Sequence, residues 1–244
     1  MTNPKINKKK VIVVMPAYNA EKTIKKTYYD IPAGIADEVV VVDDDSHDKT
    51  VEIARNLGLS VYIHKNNLGY GGNQKTCYEK ALDKKADIIV MIHPDYQYDA
   101  TLTGDLVKPV LEDRFDIMLG SRLRNREETL KNGMPVYKYI FNRFLTLMEN
   151  IVLGLNLSEY HTGFRAFNKK SLSKINFQNF SNDFIFDQQI LIDAHLKGFR
   201  IGEIFVPCKY TKESSSINFI RSVKYGLEIM INLIWAILKI NLYQ

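Results

Sequence analysis

Short apolar runs that alternate with helical patterns constrain this chain more than any other feature. Val11–Met15, Glu38–Val42, Val61–His64, Asp87–Ile92 and Asp116–Leu119 are rich in Val and Ile and lack strict alternation. A strand open to water on one face alternates apolar and polar residues, whereas a strand covered on both faces does not. Between the runs lie helical patterns over Ala20–Asp30, Lys49–Leu57, Asn73–Lys84 and Leu102–Glu112. This order predicts an α/β fold, a doubly wound and mostly parallel sheet with helices on both faces. At 244 residues the chain is long enough to bury a sizeable core.

In such sheets ligands bind beyond the carboxyl ends of the strands, so the residues just after each strand matter most. The first strand leads into Pro16-Ala17-Tyr18-Asn19 and the second into Asp43-Asp44-Asp45-Ser46-His47-Asp48. The third leads into Leu68-Gly69-Tyr70-Gly71-Gly72, the fourth into His93-Pro94-Asp95-Tyr96-Gln97, and the fifth into Gly120-Ser121-Arg122. One Asp-Asp-x-Ser is explained by helix capping alone, since Ser46 or Asp48 would satisfy the unpaired N–H groups of the next helix. Several polar strand ends in one chain are not so explained. Adjacent carboxylates repel unless a cation or a donor-rich ligand offsets them. The glycines at 69–72 match neither G-x-G-x-x-G nor a phosphate-binding P-loop, which disfavours a dinucleotide-binding fold or a P-loop NTPase.

The net charge of +5 suits anionic ligands or an anionic membrane surface, and no nucleic-acid partner is expected. Cys77 and Cys208 have no metal-ligand spacing, which fits a reducing cytoplasm. The basic N-terminal stretch leads into only five apolar residues before Pro16, too few for a signal-peptide core.

Taken together, Pro16-Ala17-Tyr18-Asn19, Val41-Val42-Asp43-Asp44-x-Ser46-x-Asp48, Gly120-Ser121-Arg122 and Thr162-Gly163-Phe164-Arg165-Ala166-Phe167 resemble the family 2 inverting glycosyltransferases of GT-A fold. The likeness continues in Gly198-Phe199-Arg200-Ile201-Gly202-Glu203-Ile204, and within the family it is nearest to dolichol-phosphate mannose synthases and polyprenyl-phosphate glycosyltransferases. The resemblance implies a GT-A catalytic domain over residues 1–210 and a C-terminal acceptor loop and amphipathic helix over 211–244. It implies a nucleotide sugar held by Pro16, Ala17, Tyr18, Asn19, Asp43, Asp44, Gly71, His93 and Arg122. Asp44 would accept a hydrogen bond from the base, and a carboxylate does not choose between UDP and GDP.

The family's Asp-x-Asp motif corresponds here to His93-Pro94-Asp95, with Gln97 two residues later. The resemblance therefore implies a divalent cation, Mg²⁺ or Mn²⁺, bound by Asp95, Gln97 and His93. Imidazole suits Mn²⁺ better than Mg²⁺. Asp95, Arg122 and Asp187 are the implied catalytic residues, Asp187 as sugar ligand or base. His161, Arg165, Lys209, Lys212 and Ser215 would face the acceptor, a polyprenyl phosphate or a glycan hydroxyl. A nucleotide-sugar-binding protein without transfer activity is the remaining alternative, because His93 and Gln189 depart from the family pattern.

Over residues 217–240, Arg221, Lys224, Glu228, Asn232 and Lys239 fall on one narrow helical stripe and the rest is apolar. The most apolar part, Leu227–Leu238, is shorter than the roughly 20 residues a membrane span needs. It predicts a helix lying in the interface, with Trp235 near the headgroups, and hence a peripheral protein on the cytoplasmic face of a membrane. Residues 135–153 form a second amphipathic segment. Such faces equally suit core packing or a homodimer.

Overall fold

The computed structural model describes residues 9–209 and 219–243. Along the chain run β1 (Val11–Ala17), α1 (Ile24–Asp30), β2 (Glu38–Asp43), α2 (Thr50–Asn56), β3 (Ser60–Ile63) and α3 (Tyr70–Asp83). Then come β4 (Ile88–Ile92), α4 (Thr103–Leu111), β5 (Ile117–Ser121), α5 (Arg126–Lys131) and α6 (Val136–Leu153). The chain continues through β6 (Phe164–Asn168), α7 (Lys169–Lys174), α8 (Phe186–Leu196), β7 (Ile201–Phe205) and α9 (Phe219–Tyr243). The strands form one sheet in the order β3-β2-β1-β4-β6-β5-β7. Only β6 runs against its neighbours, β4 and β5, among the described strands.

Both faces of the sheet are covered, as the unbroken apolar runs require. Ile12, Val14, Val40, Val42, Ile89 and Met91 pack to one side with residues of α3, α6, α8 and α9. Val11, Val13, Met15, Val39, Val41, Ile88 and Val90 pack to the other with residues of α1, α2 and α4. The five expected strands are present, with ends within one or two residues of those read from the sequence.

Two findings depart from the sequence reading. Residues 162–167, taken as a motif, lead into and make up most of the antiparallel strand β6, with Arg165 in its interior. In addition, α9 is not a separate unit. Its residues Tyr225, Ile229, Leu233 and Ala236 belong to the same core as α3 and α8, so packing does not divide the chain at 210–211.

One clasp ties β5, β6 and β7 together at the edge of the sheet opposite the carboxyl ends of the parallel strands. Asp116 accepts from the Arg200 backbone N–H at 2.9 Å, from Arg200 Nε at 3.0 Å and from Asn168 Nδ2 at 2.9 Å. The Arg200 guanidinium draws the Asp116 carboxyl from 3.8 down to about 2. A carboxyl depressed by folding stabilises the fold above its unfolded pKa and loses that contribution as pH falls through the folded one. Thermal unfolding of Asp116→Asn should therefore lose part of the wild-type Tm decline between about pH 4 and pH 2. Parallel acid limbs for the two proteins would contradict this.

Candidate active site

The strand order reverses between β1 and β4, and the crevice at that point holds two cavities. The first, about 550 Å³, is lined by Pro16, Ala17 and Tyr18 from the end of β1, by Asp44, and by Asn73 of α3. Arg221 and Lys224 of α9 close its far side. The second, about 600 Å³, lies between α6 and α9 and is walled by Tyr137, Ile140, Phe141, Phe144 and Val223. Arg122, Lys138 and His161 are its basic groups. Tyr70, His93, Asp95, Phe184 and Tyr225 line both cavities, so the two meet at these side chains.

The junction is held from beneath. Asp187, at the first turn of α8, accepts from Tyr70 Oη at 2.7 Å and from Gln74 Nε2 at 3.1 Å, and pairs with Arg165 at 3.2 Å. Tyr70 then stacks on His93, with ring centroids 5.0 Å apart, and meets Phe184 at 4.6 Å. Burial, with Asp187 adding to it, pushes the Tyr70 phenol well above its usual range. The phenol therefore stays protonated and donates to Asp187. Burial also lowers His93, keeping the imidazole neutral. Its ring lies against Gly163, where an added Cβ would stand 2.9 Å from His93 Nε2.

On the polar side, Asp44 accepts from Leu68 N at 2.8 Å, Gly69 N at 3.0 Å and the His64 ring at 2.7 Å. Its carboxylate fixes the loop after β3. Asp43 accepts from Ser46 N at 3.0 Å, and its Oδ1 is buried without a partner, as is Asn73 Oδ1. Asn19 bridges to the loop after β2 through Ser46 and His47.

Beside the junction, Asp95 Oδ1 accepts from Gln97 N at 3.0 Å, while Gln97 Oε1 accepts from Arg122 at 3.1 Å. Arg122 and the fully buried Glu159 form a multiple contact, with Arg122 N to Glu159 Oε2 at 2.6 Å and Nε to Oε1 at 2.9 Å. Arg122 also donates to the His161 carbonyl at 2.6 Å and lies over the Tyr98 ring.

Comparison with known proteins fits this geometry. The sequence pattern of Glycosyl transferase family 2 matches residues 12–175. The chain belongs to glycosyl transferase family 2. It is 34% identical over 229 residues to an uncharacterised protein of Methanocaldococcus jannaschii, covering 94% of this chain and 93% of the relative. It is 28% identical over 223 residues to the UDP-N-acetylglucosamine–dolichyl-phosphate N-acetylglucosaminyltransferase of Methanococcus voltae, covering 84% and 88%. Among solved structures, glucosyl-3-phosphoglycerate synthase of Mycobacterium tuberculosis with Mn²⁺, UDP and phosphoglyceric acid superposes with a TM-score of 0.69. The two are 18% identical, with 94% of this chain and 79% of that one covered, so this likeness bears on the fold.

Within this family 2 chain the structure sorts the candidate residues. Pro16, Ala17, Tyr18, Asp44, His93, Asp95, Gln97, Arg122, Asp187 and His161 all line one cavity or the other. Gly71 does not. A Cβ there would lie 2.5 Å from the Ser181 carbonyl, so glycine serves the packing of α3 against residues 181–182. Arg165 is fully buried, bound to the Thr162, Tyr160 and Asp187 carbonyls, and is a core residue rather than an acceptor ligand. Lys209 is exposed over the Tyr96 ring and lines neither cavity. Lys212 and Ser215 lie outside the described residues.

Four side chains in or behind the cavities were not read from the sequence: Lys138, Glu149, Glu159 and Tyr225. Lys138 carries a signal in hindsight, a cation within an otherwise aromatic and aliphatic stretch. Glu149 and Glu159 carry none, because nothing local marks a carboxylate as buried.

Removing the Glu159 carboxylate leaves Arg122 buried without its counter-ion. Glu159→Ala should cost about 3–5 kcal/mol in urea unfolding, the usual penalty for orphaning one partner of a buried pair. A loss under about 1 kcal/mol, typical of exposed pairs, would show that the pair contributes no more than a surface contact.

Proposed function

We propose that this protein is an inverting glycosyltransferase that moves a hexose from a UDP-sugar to a polyprenyl phosphate at a membrane surface. The carrying observation is the meeting of a polar and an apolar cavity at Asp95. The polar cavity suits a nucleoside diphosphate, with the base beside Pro16 and Tyr18 and buried acceptors near the strand ends. The apolar cavity suits an isoprenoid chain. UDP and a lipid phosphate are also what the Methanococcus voltae relative is named for.

Lys138 favours a phosphate over a sugar hydroxyl as acceptor. No hydrogen bond or ion pair engages its ammonium among the described residues. Burial and the nearby Arg122 charge lower its pKa. A half-buried cation in a largely apolar wall is a ready partner for an anion, and the acceptor phosphate supplies that anion.

A divalent cation fits the site through one protein ligand. Among the described residues no cluster of three His, Cys, Asp or Glu could hold a metal. Asp95 alone lies in both cavities with a carboxylate. Gln97 Oε1 is turned to Arg122 and His93 Nε2 toward Gly163, so neither adds a donor here. Mg²⁺ or Mn²⁺ at nucleotide sites commonly takes one or two carboxylates and completes its shell with phosphate and water oxygens. Held by Asp95 and the diphosphate, the cation would offset the charge that develops on the leaving group.

The membrane reading rests on α6 and α9 together. Gly226 lets them close, since a Cβ there would lie 2.5 Å from the Phe141 ring. Ile140, Phe144, Leu147 and Ile151 of α6 and Leu227, Ile231, Ile234 and Leu238 of α9 are exposed. This apolar surface is continuous with the apolar cavity, so a lipid reaches the site without leaving hydrocarbon. Lys239 lies 3.9 Å above the Trp235 ring, a pairing suited to the headgroup layer. No helix among the described residues is long and apolar enough to cross a membrane, so the contact is peripheral.

Nucleoside diphosphate release from UDP-sugars should rise sharply when polyprenyl phosphate in detergent or vesicles is added. Equal release with and without the lipid would contradict the assignment. Lys138→Ala should raise the KM for the lipid about tenfold, the effect of one charge-assisted bond, with the KM for the UDP-sugar unchanged. Mn²⁺ should raise the melting temperature only when UDP is present, and Asp95→Ala should abolish that rise. A rise with Mn²⁺ alone would mean a protein site that needs no phosphate.

A further inference from the structure

A transfer to any acceptor that carries a proton needs somewhere for that proton to go. Asp187, the acid expected to serve, is engaged by Tyr70, Gln74 and Arg165. Both of its oxygens are thus already committed to donors of the protein. Gln189 is not ionisable and accepts from Ser181 N at 2.8 Å.

A second group stands at the junction. Tyr225 Oη lies 2.8 Å from His161 Nδ1. His161 Nε2 lies 3.1 Å from Glu149 Oε2, close enough to bond but off the line that an N–H donor needs. Glu149 is fully buried in α6, and its other oxygen accepts from Gln188 Nε2 at 3.0 Å. No lysine or arginine pairs with Glu149 among the described residues, and the His161 ring stands beside its free oxygen. In the tautomer in which the phenol donates to Nδ1, the imidazole hydrogen lies on Nε2, beside the carboxylate. A carboxylate behind an imidazole fixes its tautomer and stabilises the imidazolium.

We infer that Tyr225, His161 and Glu149 form a relay that takes the acceptor's proton during transfer. The inference rests on the glycosyl-transfer function proposed for the site. A phosphate monoester loses its second proton near about pH 6. Below that pH the lipid phosphate enters as a monoanion with one proton. As its oxygen bonds to the anomeric carbon, the bond from that carbon to the diphosphate breaks and the electron pair leaves with the diphosphate. The acceptor proton passes to Tyr225 Oη while the Tyr225 proton passes to His161 Nδ1. The resulting imidazolium is paired with Glu149 and returns its proton to solvent after product release.

The charged groups around Tyr225 are Glu149 of α6, Asp187 of α8, Arg165 of β6 and Arg122 after β5. Arg165 pairs with Asp187, and Arg122 with Glu159. Lys224 and Glu228 of α9 pair with each other at 3.4 Å.

The test is the pH profile of kcat with UDP-sugar and polyprenyl phosphate for wild type and Tyr225→Phe. Near pH 5.5 the variant should be slowed about tenfold, and by about pH 8, where the acceptor arrives as the dianion, it should recover to within about twofold. The KM for UDP-sugar should not change, and His161→Gln should give the same profile. A loss equal at every pH, or none at any pH, would overturn the relay. If wild type does not use polyprenyl phosphate, the lipid reading fails and UDP-sugar hydrolysis becomes the assay. There the relay requires Tyr225→Phe to lower kcat at all pH values with KM unchanged, and an unchanged kcat overturns it. A wild-type protein that turns over no donor overturns both.

Discussion

A guanidinium with no exposed surface sits inside the antiparallel strand, and the site is built around neutralising it. Arg165 is bound to carbonyls of residues 160, 162 and 187 and paired with the Asp187 carboxylate. A buried ion is tolerated only when charge and hydrogen bonds are both satisfied. Satisfying Arg165 fixes the first turn of α8, and Asp187 then fixes Tyr70. Tyr70 in turn sets the His93 and Phe184 rings that stand between the two cavities. The wall where transfer would take place is thus an outgrowth of the core, not a loop arrangement.

The two cavities differ because different layers build them. Strand ends and the loops after them supply the polar cavity, since backbone and carboxylates converge at the carboxyl edge of a parallel sheet. Two amphipathic helices supply the apolar one. The α9 helix contributes to both, through Arg221 and Lys224 on one side and Val223 on the other, with Tyr225 at the boundary. A helix whose outer surface is exposed and apolar therefore also lines the polar cavity. This explains why a segment read as a membrane anchor belongs to the core.

Strands β1 to β5 were legible because Val and Ile on both faces leave a direct compositional trace, whereas the parallel β7, with Gly202 and Glu203 in its interior, was not. The strand-end motifs were legible because polar clusters after apolar runs stand out. Strand β6 was not, because Phe164–Asn168 places an arginine in its interior, which reads as a surface or binding residue. The family motif sent Arg165 to the acceptor side, whereas it is fully buried, held by the nearby Tyr160 and Thr162 carbonyls and by the distant Asp187. Asp44 shows the converse. It lines the polar cavity, but its carboxylate is engaged by Leu68, Gly69 and His64, contacts that depend on where the third strand's loop returns. Lys138, Glu149 and Tyr225 acquire meaning only when α6 and α9 are brought side by side.

The most direct test of the two-cavity account is a crystal structure with UDP, Mn²⁺ and a short polyprenyl phosphate. The account places the uridine beside Pro16–Tyr18, the diphosphate at Asp95, the lipid phosphate between Arg122 and Lys138, and the chain between α6 and α9. A nucleotide bound in the apolar cavity, or a lipid phosphate seated away from Lys138, would contradict it.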